Sequence, residues 1–351
     1  MKQSILKQLS LYNYRYVVGY VFYAVLLTLL LLLSITDLPR GLSTAEMTSV
    51  THSASTSVQA ILLNSPIDAP YALLQKVSLH FFGITTFSIK LPSLILAFTT
   101  GMALIFMLRQ WFSDNVAVLT SITVASAGPF MTMGRTGTAM ILYAFWLSII
   151  LLAATKKLYG KERTFKWKLL FFAAAAGSLY TPMMIYPLIS IAAAGMFHPH
   201  IRFAIRRVSL KKLGIVISVA LLILAPLIWA IIKDPSLLIT LLGWPQAIPT
   251  LATIQANLFT FIRIFFDFGN VQIGTYMLPL FNAATMVIVL LGFLQTLVDR
   301  HSARSYMLLI WSSLIFLLIL FNPAAVTVLY IPIILYLAVG VETLIREWYR
   351  L

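Results

Sequence analysis

The stretch that decides the fold is VVGYVFYAVLLTLLLLLSIT, residues 17–36, followed at once by DLPRGLSTAEMTS, residues 37–49. Twenty residues pass without a charge, and then Asp37, Arg40 and Glu46 arrive within the next ten. A helix rises about 1.5 Å per residue, so about 20 apolar residues cross a hydrocarbon core of roughly 30 Å. The first stretch is therefore a membrane span, and the second lies at a membrane face. Met1 to Tyr16 is basic, but no small-residue cleavage site ends the apolar run. The helix reads as retained rather than as a signal peptide.

The same reading applied outward sets the class. The 351 residues are 60% hydrophobic and only 10% charged, against about 25% charged in soluble proteins. The expected fold is all-α: a polytopic membrane protein of about ten transmembrane helices. After Val17 to Thr36 the spans are Phe87 to Leu108, Val116 to Met133, Thr138 to Thr155 and Leu169 to Thr181. Met183 to Phe197, Leu213 to Ile232, Tyr276 to Val298, Tyr306 to Phe321 and Ala324 to Leu344 follow. The fifth and sixth are short and read as half-spans meeting at Tyr180-Thr181-Pro182, because proline breaks a helix. There is no cysteine, so disulfides, thiolate nucleophiles and cysteine metal sites are excluded. The five histidines show no metal spacing, and no clustered acids specify a divalent-cation site.

Charge orients the bundle. Ten spans place both termini on one side, and 19 of the 25 Lys and Arg residues fall there. The other side holds Arg40, Lys76, Lys90, Arg135, Lys233 and Arg263. The positive-inside rule then expects cytoplasmic termini in a plasma-membrane protein. The net charge of +15 is thus a topology signal and a contact for anionic lipid, not a nucleic-acid surface.

Two outer segments are long, residues 37–86 and 233–275. Thr44 to Leu63 and Pro70 to Phe82 space apolar residues helically, the latter with Leu73, Leu74, Val77 and Phe81 on one face. Both read as amphipathic helices in the interface. Ile254 to Phe268 is a third, with Arg263 and Asp267 at an i, i+4 spacing.

In order along the chain stand Gly41-Leu42-Ser43-Thr44-Ala45-Glu46, Asp68-Ala69-Pro70-Tyr71, Phe82-Gly83, Lys90-Leu91-Pro92-Ser93, Arg109-Gln110-Trp111-Phe112, Gly134-Arg135-Thr136-Gly137-Thr138 and Tyr330-Ile331-Pro332. With these residues the chain resembles the GT-C superfamily of membrane glycosyltransferases, in the branch of aminoarabinose transferases and protein mannosyltransferases. Residues 1–155 match best, and 156–351 follow in layout, as one GT-C-like transmembrane domain. The resemblance implies transfer of a sugar from a dolichyl- or undecaprenyl-phosphate carrier to a lipid, glycan or protein acceptor at the outer face. It also implies divergence at the active site. The family's first loop reads Asp-Glu, with Asp the expected base; here Ala45 takes that place and Glu46 remains. The family's basic residue before Pro-Pro-Leu is here Asp68, with Lys76 eight residues on.

The chemistry needs an acid acting as base and cations holding the leaving phosphate. Glu46 is the first candidate base, with Asp68 and Asp37 behind it. Asp68 reads equally as the N-cap of a proline-started helix or as an acceptor or metal contact. Asp37 reads as a membrane-boundary residue. Arg135, Lys76, Lys90 and Arg263 are the candidate carrier-phosphate ligands. Lys90 and Arg135 also read as snorkelling cations, and Arg263 as a partner of Asp267. The alternatives to an enzyme are a non-catalytic relative and a lipid or glycan transporter. A transporter would bury ionisable groups mid-helix and repeat its halves; the spans hold almost no such groups and show no convincing halves.

Overall fold

The computed structural model of the chain describes residues 15–36, 42–159, 164–197, 210–245, 249–266, 283–300 and 302–348. Among these residues the regular structure is all helical, with sixteen α-helices and one 3-10 helix joined by turns. Asp37 and Asp267 lie outside them, so the boundary role of the first and the Arg263 pairing of the second are not described.

Helix α1, Arg15–Thr36, is the opening apolar run. A loop unit of three short helices follows: α2, Thr44–Ser55, α3, Val58–Leu63, and α4, Ala69–Phe82. The bundle then alternates direction through α5, Thr86–Trp111, and the pair α6, Asp114–Ala125, and α7, Gly128–Arg135. Next come α8, Ile141–Tyr159, α9, Thr164–Ser178, α10, Ile185–Phe197, and α11, Leu210–Lys233. Two helices, α12, Ser236–Leu242, and α13, Leu251–Phe266, precede the closing set α14, Ala283–Val298, α15, Ala303–Phe321, the 3-10 turn Pro323–Leu329 and α16, Tyr330–Trp348. The loop end of the bundle carries Glu46, Asp68 and Gly137. The basic end carries Arg109, Arg304 and Arg346.

Each expected span overlaps a described helix, with residues 276–282 of the eighth lying outside the described residues. Four of the described helices are, on their own, long and apolar enough to cross a bilayer: Thr86–Trp111, Leu213–Lys233, Ala303–Phe321 and, with its 3-10 entry, Pro323–Glu347. The expected straight span Val116 to Met133 is instead α6 and α7, bent by 59° between Ala125 and Gly128. The bend falls at Ser126-Ala127-Gly128-Pro129, where proline at the start of α7 suits a new helix better than a continued one. The expected short fifth and sixth spans, α9 and α10, meet as read, in a turn over residues 179–184 that contains Tyr180-Thr181-Pro182. The turn between α9 and α10 sits at the loop end, where the Asp68 amide donates to the Tyr180 carbonyl at 2.9 Å.

The third expected interfacial helix is also placed differently. Helix α13 packs lengthwise on α15: Asn257 Nδ2 donates to the Leu320 carbonyl at 3.0 Å, and one turn on Phe261 meets Phe316 edge-on at 5.8 Å. Its aromatic side therefore finds protein, not only lipid headgroups.

The core is helix-on-helix packing in lipid, where small residues allow close approach. Helices α14 and α16 cross so closely at Gly292 and Gly340 that a Cβ on either would collide with the carbonyl oxygen of Tyr336 or Ile288. Trp311, Tyr330 and Leu27 are fully buried in this core.

Candidate functional site

The loop unit is turned inside out relative to a soluble helix pair. On α4, Leu74, Val77 and Phe81 are exposed, whereas Tyr71, Gln75 and Ser78 are buried. On α2 the buried face is Glu46, Val50 and Ser53, at i, i+4 and i+7. The expected single helix over Thr44 to Leu63 breaks at Thr56, and Ser57 caps α3 by accepting from the Ala60 amide at 3.2 Å. The stripe Leu74, Val77 and Phe81 of α4 faces away from the protein, as an interfacial helix requires, and the opposite face carries the polar groups Gln75 and Ser78 into the site among buried Tyr71 and Leu79.

Gln75 is the hub, and sequence reasoning passed it over. Its Oε1 accepts from Ser49 and Ser53 hydroxyls at 2.9 and 2.8 Å. Its Nε2 donates to the carbonyls of Ile89 and Gly137 at 3.2 and 3.3 Å. One fully buried amide thereby joins α2, α4, α5 and the turn after α7. The only hint in the sequence is an uncharged polar residue opposite the apolar stripe.

Glu46 is built into the same junction. It closes the capping box of α2: its Oε2 accepts from the Ser43 amide at 2.8 Å and the Ser43 hydroxyl at 3.0 Å, while Ser43 Oγ accepts from the Glu46 amide at 3.2 Å. Its Oε1 accepts from the Gly137 amide at 2.9 Å and faces Lys90 Nζ at 3.7 Å. Both side chains of that ion pair are only 5% exposed. Burial pushes the Glu46 carboxyl up, but the amides of Gly137 and Ser43, the Ser43 hydroxyl and Lys90 outweigh it and hold the group below its ordinary pKa. Glycine is required at 137, because a Cβ there would press on the side chain and carbonyl of Ile89.

The candidate cations separate. Lys90 is buried against Glu46 rather than snorkelling. Lys76 spends its three donors on the carbonyls of Ser53, Ala54 and Thr56, at 3.1, 3.3 and 2.8 Å, and so ties down the C-terminal end of α2. Arg263 is exposed on α13, and no contact among the described residues brings it to the Glu46 cluster. Arg135 differs from all three. It ends α7, two residues before the amide that Glu46 holds, and its Nε is buried with no hydrogen-bond partner.

Asp68 is the other unpaired group. It stands at the N-cap position of α4 yet makes no side-chain capping bond, which corrects the capping reading. Its backbone is left-handed, at φ 54°, a conformation Asp tolerates better than most residues. That geometry turns its amide to Tyr180. The residue is half-buried, but Oδ1 is enclosed and has no partner. The nearby Thr181 hydroxyl tempers the charge without reaching bonding geometry, and it too lacks a partner. Desolvation pushes the Asp68 carboxyl up to about 7. The loop end thus carries a half-buried carboxyl with a raised pKa, an arginine whose Nε has no partner, and a rigid frame. Among the described residues no three His, Asp or Glu side chains converge as a metal site.

The comparisons with known proteins agree with this architecture. The family model described as dolichyl-phosphate-mannose-protein mannosyltransferase matches residues 68–229, a segment that opens on Asp68 and contains Lys76, Lys90 and Arg135. ArnT from Cupriavidus metallidurans bound to undecaprenyl phosphate superposes with a TM-score of 0.64 at 13% identity, covering 94% of this chain and 61% of that one. Its apo form gives 0.63 at 14%, covering 95% and 62%. The Archaeoglobus fulgidus oligosaccharyltransferase tethered to an acceptor peptide gives 0.53 at 12%, covering 93% and 50%. No curated protein sequence matches. The chain spans about three fifths of the length of ArnT, and at these identities the likeness is one of fold. The resemblance to the GT-C membrane glycosyltransferases, and the all-α multi-pass architecture it implied, are borne out.

Proposed function

We propose that this chain moves a sugar from a polyprenyl-phosphate carrier to an acceptor at the membrane face that carries Glu46 and Asp68. The observation that carries the reading is Asp68: a partly reachable, unpartnered carboxylate with a pKa near 7, opening the segment that matches the mannosyltransferase model. A general base works best with its pKa near the working pH. Asp68 takes the proton of an acceptor hydroxyl or amine as that atom bonds to the anomeric carbon, and the carrier phosphate leaves. Arg135, with its unpaired Nε, holds the phosphate and the charge it gains. Glu46 is a positioning residue in this scheme. Its lone pairs are spent on Gly137, Ser43 and Lys90, and it fixes the turn that presents Arg135.

The test is purified chain in liposomes with labelled polyprenyl-phosphate sugar and a crude acceptor fraction. Label should leave the carrier and appear on acceptor. Intact carrier crossing the bilayer without transfer would instead make the chain a transporter. Within that assay, Arg135→Ala should raise the carrier KM roughly tenfold or more, the worth of one charge-assisted contact. Lys233→Ala serves as control, since Lys233 sits 5.5 Å over the Trp229 ring, elsewhere on the loop face. Equal, small effects would return Arg135 to the role of a membrane anchor.

The orientation we infer places the loop end outside a plasma membrane and both termini in the cytoplasm, on the 19-to-6 split of basic residues. Ser55 and Gln255 are exposed. Cysteines placed there in this cysteine-free chain should react with an impermeant thiol reagent in intact cells. Labelling only after lysis would reverse the orientation.

A further inference from the structure

One cavity lies away from the loop end. It measures about 1380 Å³ and lies between α1, α5, α6 and α16 at the basic end. Arg109 at its rim is 19 residues along α5 from Lys90, roughly 28 Å at the helical rise. The cavity exceeds the roughly 300–1,000 Å³ of ordinary small-molecule pockets. Its walls are apolar, built from Tyr20, Leu26, Ile105, Val118, Ile122 and Leu344. Water in such a slot would lack the two to four polar partners it needs. A membrane-spanning chain therefore fills it from the bilayer.

Polarity is confined to one rim. There Arg109, Ser113, Asp114 and Asn115 line the opening. Arg109 Nε donates to Asp114 Oδ1 at 2.6 Å, and its guanidinium lies 4.9 Å from the centre of the Tyr20 ring. A stacked, carboxylate-braced arginine is held in one place rather than sweeping the surface. Ser113 stands at the N-cap of α6 without capping it, so its hydroxyl remains for another acceptor. The depth suits a headgroup, since α5 ends two residues later at Trp111.

We propose that this cavity is a phospholipid site of the leaflet at the basic end: one acyl chain lies in the slot, and the headgroup phosphate sits on Arg109 and Ser113. The occupant is distinct in place from the polyprenyl carrier proposed at the loop end, and the inference does not depend on that function. The Arg109 guanidinium and the Ser113 hydroxyl are donor groups of the kind a phosphate takes, and phospholipids share that phosphate. The apolar slot favours a chain, which free phosphate lacks.

The experiment uses the full purified chain, stripped of lipid in detergent. It is offered dipalmitoyl phosphatidylglycerol, dipalmitoyl phosphatidylethanolamine or dipalmitoylglycerol, and retention is read by native mass spectrometry. Wild type should keep one molecule of either phospholipid and little diacylglycerol. Gly19→Phe with Val118→Trp fills the slot. A Cβ at Gly19 meets nothing within 4 Å, so the space is open. That variant should retain phospholipid at least about tenfold less, the loss expected from displacing a few buried methylenes. Arg109→Gln should weaken phospholipid and leave diacylglycerol unchanged. A phosphatidylcholine carrying a diazirine near its chain end provides a readout on wild type alone, and should crosslink to peptides of α1 and α6. Equal retention by the filled variant overturns the proposal. So does diacylglycerol bound as well as phospholipid, or crosslinks confined to other helices.

Discussion

Asp68→Asn should lower sugar transfer by about 10²–10⁴, the usual cost of losing a positioned base, while the chain still folds and binds carrier. Asn keeps the shape of Asp68 and removes only its capacity to take a proton. The wild-type rate should rise with pH through about 7, where the Asp68 carboxyl ionises, and the residual rate of the variant should be flat across that range. Stability moves the other way. The folded carboxyl titrates near 7 against an ordinary 3.8. Between those values the folded chain holds a proton that the unfolded chain has lost. The contribution of Asp68 to stability is therefore fully present below about 4 and is lost as pH climbs to about 7. Asn carries no such burden, so the variant should unfold at a higher temperature than wild type at pH 8 and match it more nearly at pH 4. A variant more stable yet far less active marks a functional acid and not a structural one. Near-normal turnover in Asp68→Asn, with loss in Glu46→Gln, would return the base to Glu46.

The difference between these two acids marks how far the sequence could be read. The spans were legible because a bilayer demands apolar length, and Val17 to Thr36 or Leu213 to Ile232 state that demand openly. The loop unit was legible as helical and interfacial, but its protein side was not. In an interfacial helix the apolar stripe points to lipid. Leu74, Val77 and Phe81 therefore announce the face that does not build the site. The face that does is Gln75, Tyr71 and Ser78, whose partners lie on other helices and leave no local pattern. Tertiary context also decided α13, where Asn257 and the aromatic residues found α15. It decided the two acids as well. Ser43 and Glu46 form a capping box readable from spacing, and that bonding, with the Gly137 amide and Lys90, holds the Glu46 carboxyl below its ordinary pKa. Asp68 before Ala69-Pro70 has the sequence of a cap, yet its left-handed backbone aims the carboxyl away from the helix amides.

Lys90→Met should destabilise the chain by about 3–5 kcal/mol, toward the lower end, because it leaves a buried carboxylate without its countercharge. Glu46 would keep its bonds to the Gly137 and Ser43 amides, which moderates the loss. Glu46→Gln should cost a comparable amount. It strands the Lys90 ammonium, 5% exposed, and turns an amide NH₂ toward either the Ser43 or the Gly137 donors. The double substitution removes both charges at once and should recover much of either loss, since apolar or neutral replacement of a whole buried pair is often tolerated. The coupling is read as non-additivity across the four proteins by thermal unfolding in one detergent. Transfer activity then separates position from chemistry. If Glu46 acts only by holding the Gly137 turn and presenting Arg135, Lys90→Met and Glu46→Gln should depress transfer together, mainly through the carrier KM, and the double variant should regain part of it. If Glu46 is the base, Lys90→Met should retain substantial kcat while the Glu46→Gln single and double variants both lose it, however well they fold.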